Sequence, residues 1–248
     1  MVKHNRFLWN SAALSHVGKI RKLNEDACLE RPDVGLWIVA DGMGGHSSGD
    51  LASRMIVDAF REIPLPDKLA DRVELLEDGL LEINRALRQE ALRRGANTTI
   101  GSTVVVLLAY EYQSILLWAG DSRAYCFRKG QLTRITQDHT QVEELVEKGV
   151  LLREDAETHP SANVITRAVG AEDELYIDLD HHEIEPGDIY LLCSDGLNKE
   201  IQEHEIEMYL SEGKSTQATG QLLIDEALRR GARDNVTLTI AQAGERTA

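Results

Sequence analysis

Leu36-Trp37-Ile38-Val39-Ala40-Asp41-Gly42-Met43-Gly44-Gly45-His46 is the stretch on which the fold turns. Its opening residues form a short apolar run rich in aromatic and β-branched side chains, which reads as a buried strand. An aspartate and a glycine end it. The same figure returns in Trp118-Ala119-Gly120-Asp121-Ser122-Arg123 and in Ile189-Tyr190-Leu191-Leu192-Cys193-Ser194-Asp195-Gly196. In Arg233-Asp234-Asn235-Val236-Thr237 the carboxylate comes just before the strand. A single Asp-Gly pair is ordinary turn chemistry. Its repetition at strand ends is a different matter, because partly desolvated carboxylates that converge repel one another strongly. Arg21 and Arg123 are the basic residues these segments offer in compensation. All the candidate ligands are oxygens and no Cys/His cluster accompanies them, so Mg²⁺ or Mn²⁺ fits better than Zn²⁺. Glycines at 42, 44 and 45 let a backbone carbonyl approach an ion.

Outward from these strand ends, further strands are expected at residues 103–110, 115–119 and 236–240, with a hairpin at 124–135 turning on Lys129-Gly130. Apolar residues at 69, 73, 76, 80, 83, 87 and 91 step by four and three, which predicts a long amphipathic helix over 69–94 that ends at Gly95. A second helix is expected at 216–230, closed by Gly231, and a third from about Ser48 through Ile56, Val57 and Phe60. Strands cluster and helices fall between the clusters. That pattern predicts an α+β fold of antiparallel sheets covered by helices rather than a doubly wound parallel sheet. Residues 138–170 are polar and weakly periodic and are expected to form a surface flap.

The chain has 248 residues, 42% of them hydrophobic, enough for one compact domain spanning 1–248. No charge-free apolar run approaches the roughly 18 residues of a membrane span, and the basic N-terminus lacks an apolar signal region. Three cysteines, Cys28, Cys126 and Cys193, sit in apolar surroundings and read as reduced core residues of a cytoplasmic protein. The net charge of −15, from 27 basic and 42 acidic residues, repels nucleic acid and anionic membrane, so neither is an expected partner.

Taken in order, the segments carry R-x-x-N-E-D at 21–26, D-G-M-G-G-H at 41–46, G-S-T at 101–103, G-D-S-R at 120–123, D-H at 138–139, S-D-G-L at 194–197 and D-N-V-T at 234–237. Over nearly the whole chain this series resembles the metal-dependent PPM-type protein phosphatases (the protein phosphatase 2C family), in their compact bacterial branch. The resemblance implies an α-β-β-α sandwich, two antiparallel sheets flanked by helices, with a two-ion centre at one end. It implies that Asp41 bridges the ions, with the Gly42 carbonyl on one and Asp195 and Asp234 on the other. Glu25 and Asp26 would act through bound waters, and Arg21 would hold the substrate phosphate. Asp121 with Asp195 matches the carboxylates that hold a third, weaker ion in bacterial relatives. The implied reaction is hydrolysis of phosphoserine and phosphothreonine by a water bridging two ions about 3.5–4 Å apart, with no phosphoenzyme. The implied partners are phosphorylated proteins, namely a cognate Ser/Thr kinase and its substrates, met by a monomer. One departure is Met43, where animal relatives carry a histidine thought to protonate the leaving group. The donor here is then a metal-bound water or another group, with His46, His139 and His159 as imidazole candidates for that step or for holding the phosphate.

Rival chemistries find no support. Cys-x5-Arg fails because Val34, Leu132 and Lys199 stand six residues after the cysteines. Gly213-Lys214-Ser215-Thr216 lacks the earlier P-loop glycine, Met208 standing there, and reads as a helix start. The dinucleotide fingerprint breaks at Ser47, and His181-His182-Glu183 lacks a further spaced zinc ligand and reads as surface. A phosphoprotein-binding module with a degenerate site is the alternative from another class; such modules usually lose a metal aspartate, and this chain keeps Asp41, Asp195 and Asp234.

Overall fold

The structure, a computed structural model, describes residues 6–44, 48–95, 98–156 and 158–245. The strands are β1 (Phe7–His16), β2 (Asp26–Arg31), β3 (Leu36–Gly44), β4 (Ile100–Ser102), β5 (Val104–Tyr110), β6 (Gln113–Ala119), β7 (Arg123–Arg128), β8 (Gln131–Arg134), β9 (Asp178–Glu183), β10 (Ile189–Cys193) and β11 (Val236–Glu245). The helices are α1 (Gly49–Arg61), α2 (Leu69–Arg94), α3 (Gln141–Glu147), α4 (Asp195–Asn198), α5 (Glu203–Ser211) and α6 (Thr216–Arg230). One sheet runs β1-β11-β10-β7-β8 and the other β2-β3-β5-β6-β9, with β4 added to the end of β3. Every strand pairing in both sheets is antiparallel.

The two sheets pack face to face and each carries helices on its outer face, which is the four-layer α-β-β-α arrangement. Alternation along β3 shows how one strand builds two cores. Leu36, Ile38 and Ala40 face Ile56 and Phe60 of α1 and Leu76, Leu80 and Leu87 of α2. Trp37 and Val39 point the other way and meet Tyr190, Leu192 and Ala241 of the opposite sheet. A strand with side chains buried on both faces has no reason to alternate with polar residues, so 36–40 reads as one continuous apolar run. On the far side Leu191, Cys193, Leu238 and Ile240 pack against Ile206 and Leu210 of α5 and Leu223, Ile224 and Ala227 of α6.

The predicted helices over 69–94 and 216–230 coincide with α2 and α6. Gly95 donates its N–H to the Ala91 carbonyl as the α2 cap, and Ser215 caps α6 with a side-chain oxygen that accepts from Ala218 N. The charged segment at 21–26 is a loop whose last residue, Asp26, already belongs to β2. Strands β1, β2, β4 and β9 and helices α3 to α5 go beyond the sequence expectation; β1 and β9 are edge strands with mixed exposure, and α5 is heavily charged. Residues 138–170 make an excursion holding α3 and a single 3₁₀ turn, tied at its base by bridges from Thr140 to Ile165 and from Ser102 to Val169. All three cysteines are free thiols. No helix among the described residues is long and apolar enough to cross a membrane.

Candidate metal centre

The fold gathers at one rim the acids that lie far apart in the chain. Asp26 opens β2 and stands directly opposite Asp41 in the β2–β3 register. Asp121 follows β6, Asp195 follows β10 at the start of α4, and Asp234 precedes β11. Because neighbouring strands are antiparallel, the start of one and the end of the next meet on the same edge.

Hydroxyl and amide side chains hold these acids in place. Ser194 Oγ donates to Asp26 Oδ2 at 2.8 Å and Thr237 N donates to Ser194 Oγ at 3.0 Å, so one serine links the two sheets. Thr103 N donates to the Asp41 carbonyl at 2.9 Å, as does Ser102 Oγ at 3.0 Å, while Asp41 N donates to Thr103 Oγ1 at 3.2 Å. Thr103 Oγ1 also lies 2.7 Å from Ser122 Oγ, beside Asp121. The G-S-T motif at 101–103 is thus the cradle of the Asp41 backbone. Asn235, 4% exposed, accepts from Glu25 N at 2.8 Å and donates to the carbonyls of Val17 and Leu23. Glu25 in turn accepts from Gly49 N at the start of α1, at 3.2 Å.

Electrostatics mark the cost of the assembly. Burial raises the Asp41 carboxyl well above the usual range, and Asp26, Asp195, Asp121 and Asp234 raise it further. Burial also pushes Asp26 up to about 7, against hydrogen bonds from Thr237 and Ser194 and with help from Asp195 and Asp234. Asp121 is pushed up to about 7 by burial, then by Asp195 and Asp138, with Lys199 pulling it back. Oδ1 of each of Asp26, Asp121 and Asp195 is buried without a hydrogen-bond partner. Carboxylate oxygens that are crowded, desolvated and unpartnered call for hard cations.

Among the described residues, no three carboxylate, imidazole or thiol side chains already close on one point in ligating geometry. Two of the acids are held by cations of the chain instead. Arg21, half exposed, donates to Asp234 Oδ2 at 2.8 Å, and Lys199 is ion-paired with Asp195 Oδ2. The donor set still fits divalent ions, because it is all oxygen and its buried oxygens are orphaned. Gly42 fits as well: a Cβ there would lie 2.1 Å from the Gly49 carbonyl oxygen, so only glycine admits so close a backbone approach.

The histidines fall differently. His46 lies outside the described residues. His139 is 7% exposed and stacks on Trp118; its Nδ1 accepts from Gly120 N at 3.1 Å and its Nε2 meets Asp178 Oδ2 at 3.1 Å. Nδ1 thus fixes the Gly120 backbone beside Asp121, and Nε2 is taken by the Asp178 carboxylate. His159 sits in the 138–170 excursion, where its Nδ1 accepts from Ser161 N at 3.2 Å. Met43 packs with its Sδ-methyl near Gly101. The sequence reading gave no role to Lys199, Asn235 or Ser194. Lys199 had a signal, since it stands four residues after Asp195 at a helix start. Beside Asp121 and Asp195 opens a cleft of about 760 Å³, walled by Thr140, Glu143 and Arg153 on one side and Asn198, Gln202 and Glu203 on the other. Asp41 and Asp234 are not part of its lining.

A two-sheet sandwich with helices outside and carboxylates from both sheets meeting at one rim defines the class, and comparison defines the family. The family Protein phosphatase 2C matches residues 16–229, and the chain belongs to it. The serine/threonine phosphatase stp of Listeria welshimeri is 33% identical over 91% of this chain and 92% of its own. Among solved structures, PppA, a key regulatory component of T6SS in Pseudomonas aeruginosa, is 45% identical with a TM-score of 0.88, covering 95% of this chain and 97% of that one. The catalytic domain of the serine/threonine protein phosphatase PstP, in complex with two manganese ions, is 33% identical with a TM-score of 0.82 over 95% and 98% of the two chains. The protein is accordingly a serine/threonine phosphatase of a family that uses divalent metal, and phosphoproteins are its substrates.

Proposed function

We propose that the chain hydrolyses phosphoserine and phosphothreonine with two divalent ions, Mn²⁺ or Mg²⁺, and reverses the action of a bacterial eukaryotic-like Ser/Thr kinase. The observation that carries this reading is the set of orphaned carboxylate oxygens at the rim where both sheets end. Asp41, the Gly42 carbonyl, Asp195 and Asp234 would hold the ions, with Glu25 and Asp26 reaching them through water. When bound, two such ions supply a water acidified for in-line attack and neutralise the phosphoryl oxygens as charge develops.

The remaining roles belong to side chains of the protein. Arg21, half exposed and held at the rim by Asp234, would turn its guanidinium to two phosphoryl oxygens, the fork geometry suiting a phosphate. With Met43 unable to carry a proton, the leaving serine or threonine oxygen would be protonated by water. Asp26 and Ser194 orient the rim rather than touch the phosphate. Residues 138–170 wall the cleft beside the centre, and substrate selectivity is assigned to them.

Asp41→Asn tests the assignment. It should fold as the wild type does by circular dichroism and lose turnover of p-nitrophenyl phosphate in Mn²⁺ to the level seen with EDTA. Near-wild-type turnover of this variant in Mn²⁺ would overturn the proposal.

A further inference from the structure

Asp121 and Asp195 are the carboxylates that the family resemblance implies for a third, weaker ion, and in this chain a cation of the protein already stands on Asp195. The two are 7% and 8% exposed, and Oδ1 of each is buried without a hydrogen-bond partner, so each carboxylate keeps one oxygen unanswered. The neighbouring Asp138 does not relieve this but adds negative charge, and its own charge is taken by Arg123 at 2.7 Å and Arg134 at 2.9 Å. Lys199 follows the last residue of α4, four positions after Asp195, and its ammonium is bonded to Asp195 Oδ2. Lys199 lines the same cleft as Asp121 and Asp195, a cleft whose walls leave out Asp41 and Asp234.

We propose that Lys199 Nζ takes the place of the third cation, so that this phosphatase loads two ions and keeps the Asp121–Asp195 position closed to another by a tethered positive charge. The inference rests on the two-ion reading above. A divalent ion entering at Asp121–Asp195 would first have to displace an ammonium from a charge-assisted hydrogen bond. An interaction of that kind is worth about 10–100-fold in affinity. It would also have to sit close to a fixed like charge. The side chain of Lys199 is 42% exposed and makes no other ion pair among the described residues, so its replacement leaves the core untouched.

Mn²⁺ binding to the intact protein, counted by electron paramagnetic resonance and by calorimetry, decides the matter without reference to turnover. The wild type is expected to bind two ions and to show no third up to millimolar Mn²⁺. Lys199→Met should add a third, weaker ion, at least tenfold tighter than any third site in the wild type. Lys199→Arg, which keeps the cation, should return the count to two, and Lys199→Met combined with Asp121→Ala should do the same. A third ion bound by the wild type with an affinity within twofold of Lys199→Met would overturn the inference, as would the absence of any gain in a Lys199→Met protein that still binds its first two ions. Failure of both proteins to bind two ions would overturn the two-ion reading itself, and the inference with it.

Discussion

Gly42→Ala is a small change placed where three pieces of backbone meet. The new Cβ would lie 2.1 Å from the Gly49 carbonyl oxygen and 2.5 Å from the Glu25 carbonyl oxygen. Ordinary contact begins near 3.4 Å, so the start of α1 has to withdraw from β3 by the difference from 2.1 Å, about 1.3 Å. That shift breaks or stretches the bonds from Gly42 N to the Glu25 carbonyl at 3.1 Å and from Gly49 N to Glu25 Oε1 at 3.2 Å. Overpacking costs about 1–3 kcal/mol and each of the two weakened hydrogen bonds about 1 kcal/mol, so a loss of roughly 3–5 kcal/mol is expected. For a domain of this size the melting temperature should fall by about 6–20 °C. Displacing Asp41, Gly42 and Glu25 by an ångström should also cost on the order of 100-fold in turnover. Urea unfolding with and without Mn²⁺, together with p-nitrophenyl phosphate hydrolysis, measures both effects. Gly130→Ala is the control. Its φ of +86° is strained for alanine but nothing lies within 4 Å of the new Cβ, so about 1 kcal/mol should be lost with turnover intact. A Gly42→Ala protein within 0.5 kcal/mol of wild type (~, on the scale of ordinary surface substitutions), and stabilised as well by Mn²⁺, would refute the reasoning.

Asn235→Ala should lower stability by roughly 2–4 kcal/mol, because it leaves Glu25 N and the carbonyls of Val17 and Leu23 without their buried partner. It should also raise the Mn²⁺ concentration needed for half-maximal turnover, since Glu25 and Arg21 ride on the same loop; an unchanged Mn²⁺ requirement would contradict that coupling. Remote from the centre, Glu205 and Glu226 are each held down to about 2, by hydrogen bonds from Arg230 and from Arg229 with Arg230 respectively. A carboxyl depressed in the folded state contributes stability above its unfolded pKa, near 4.5, and loses it as pH falls toward the folded value. The difference in melting temperature between the wild type and Arg230→Met should therefore be full at pH 7 and shrink between about pH 4.5 and 2; a gap that holds constant down to pH 2.5 would argue against the pairing.

Local sequence determined the elements whose signals are contained within them. The stripe from position 69 to 91 and the stop at Gly95 mark out α2 because helix periodicity and capping act over a few residues. The apolar run 36–40 marked a strand buried on both faces for the same reason, and the acids at its end and at the ends of its fellows were visible as repeated figures. The motif series also carried the family, which the comparisons bear out.

Only the tertiary structure decided which acids face one another. Asp26 lies in a charged segment with no apolar signal, and it meets Asp41 because β2 takes its register from β3. Ser194 reaches Asp26 from the opposite sheet, 168 residues away along the chain. His139, one candidate among equals in the sequence, has both nitrogens engaged beside Gly120 and Asp178. Lys199, given no role by the sequence, is turned by α4 onto Asp195. Composition and periodicity describe what a segment can bury, whereas the electrostatics of the centre depend on distances between segments. Those distances come from strand register and from the packing of one sheet on the other.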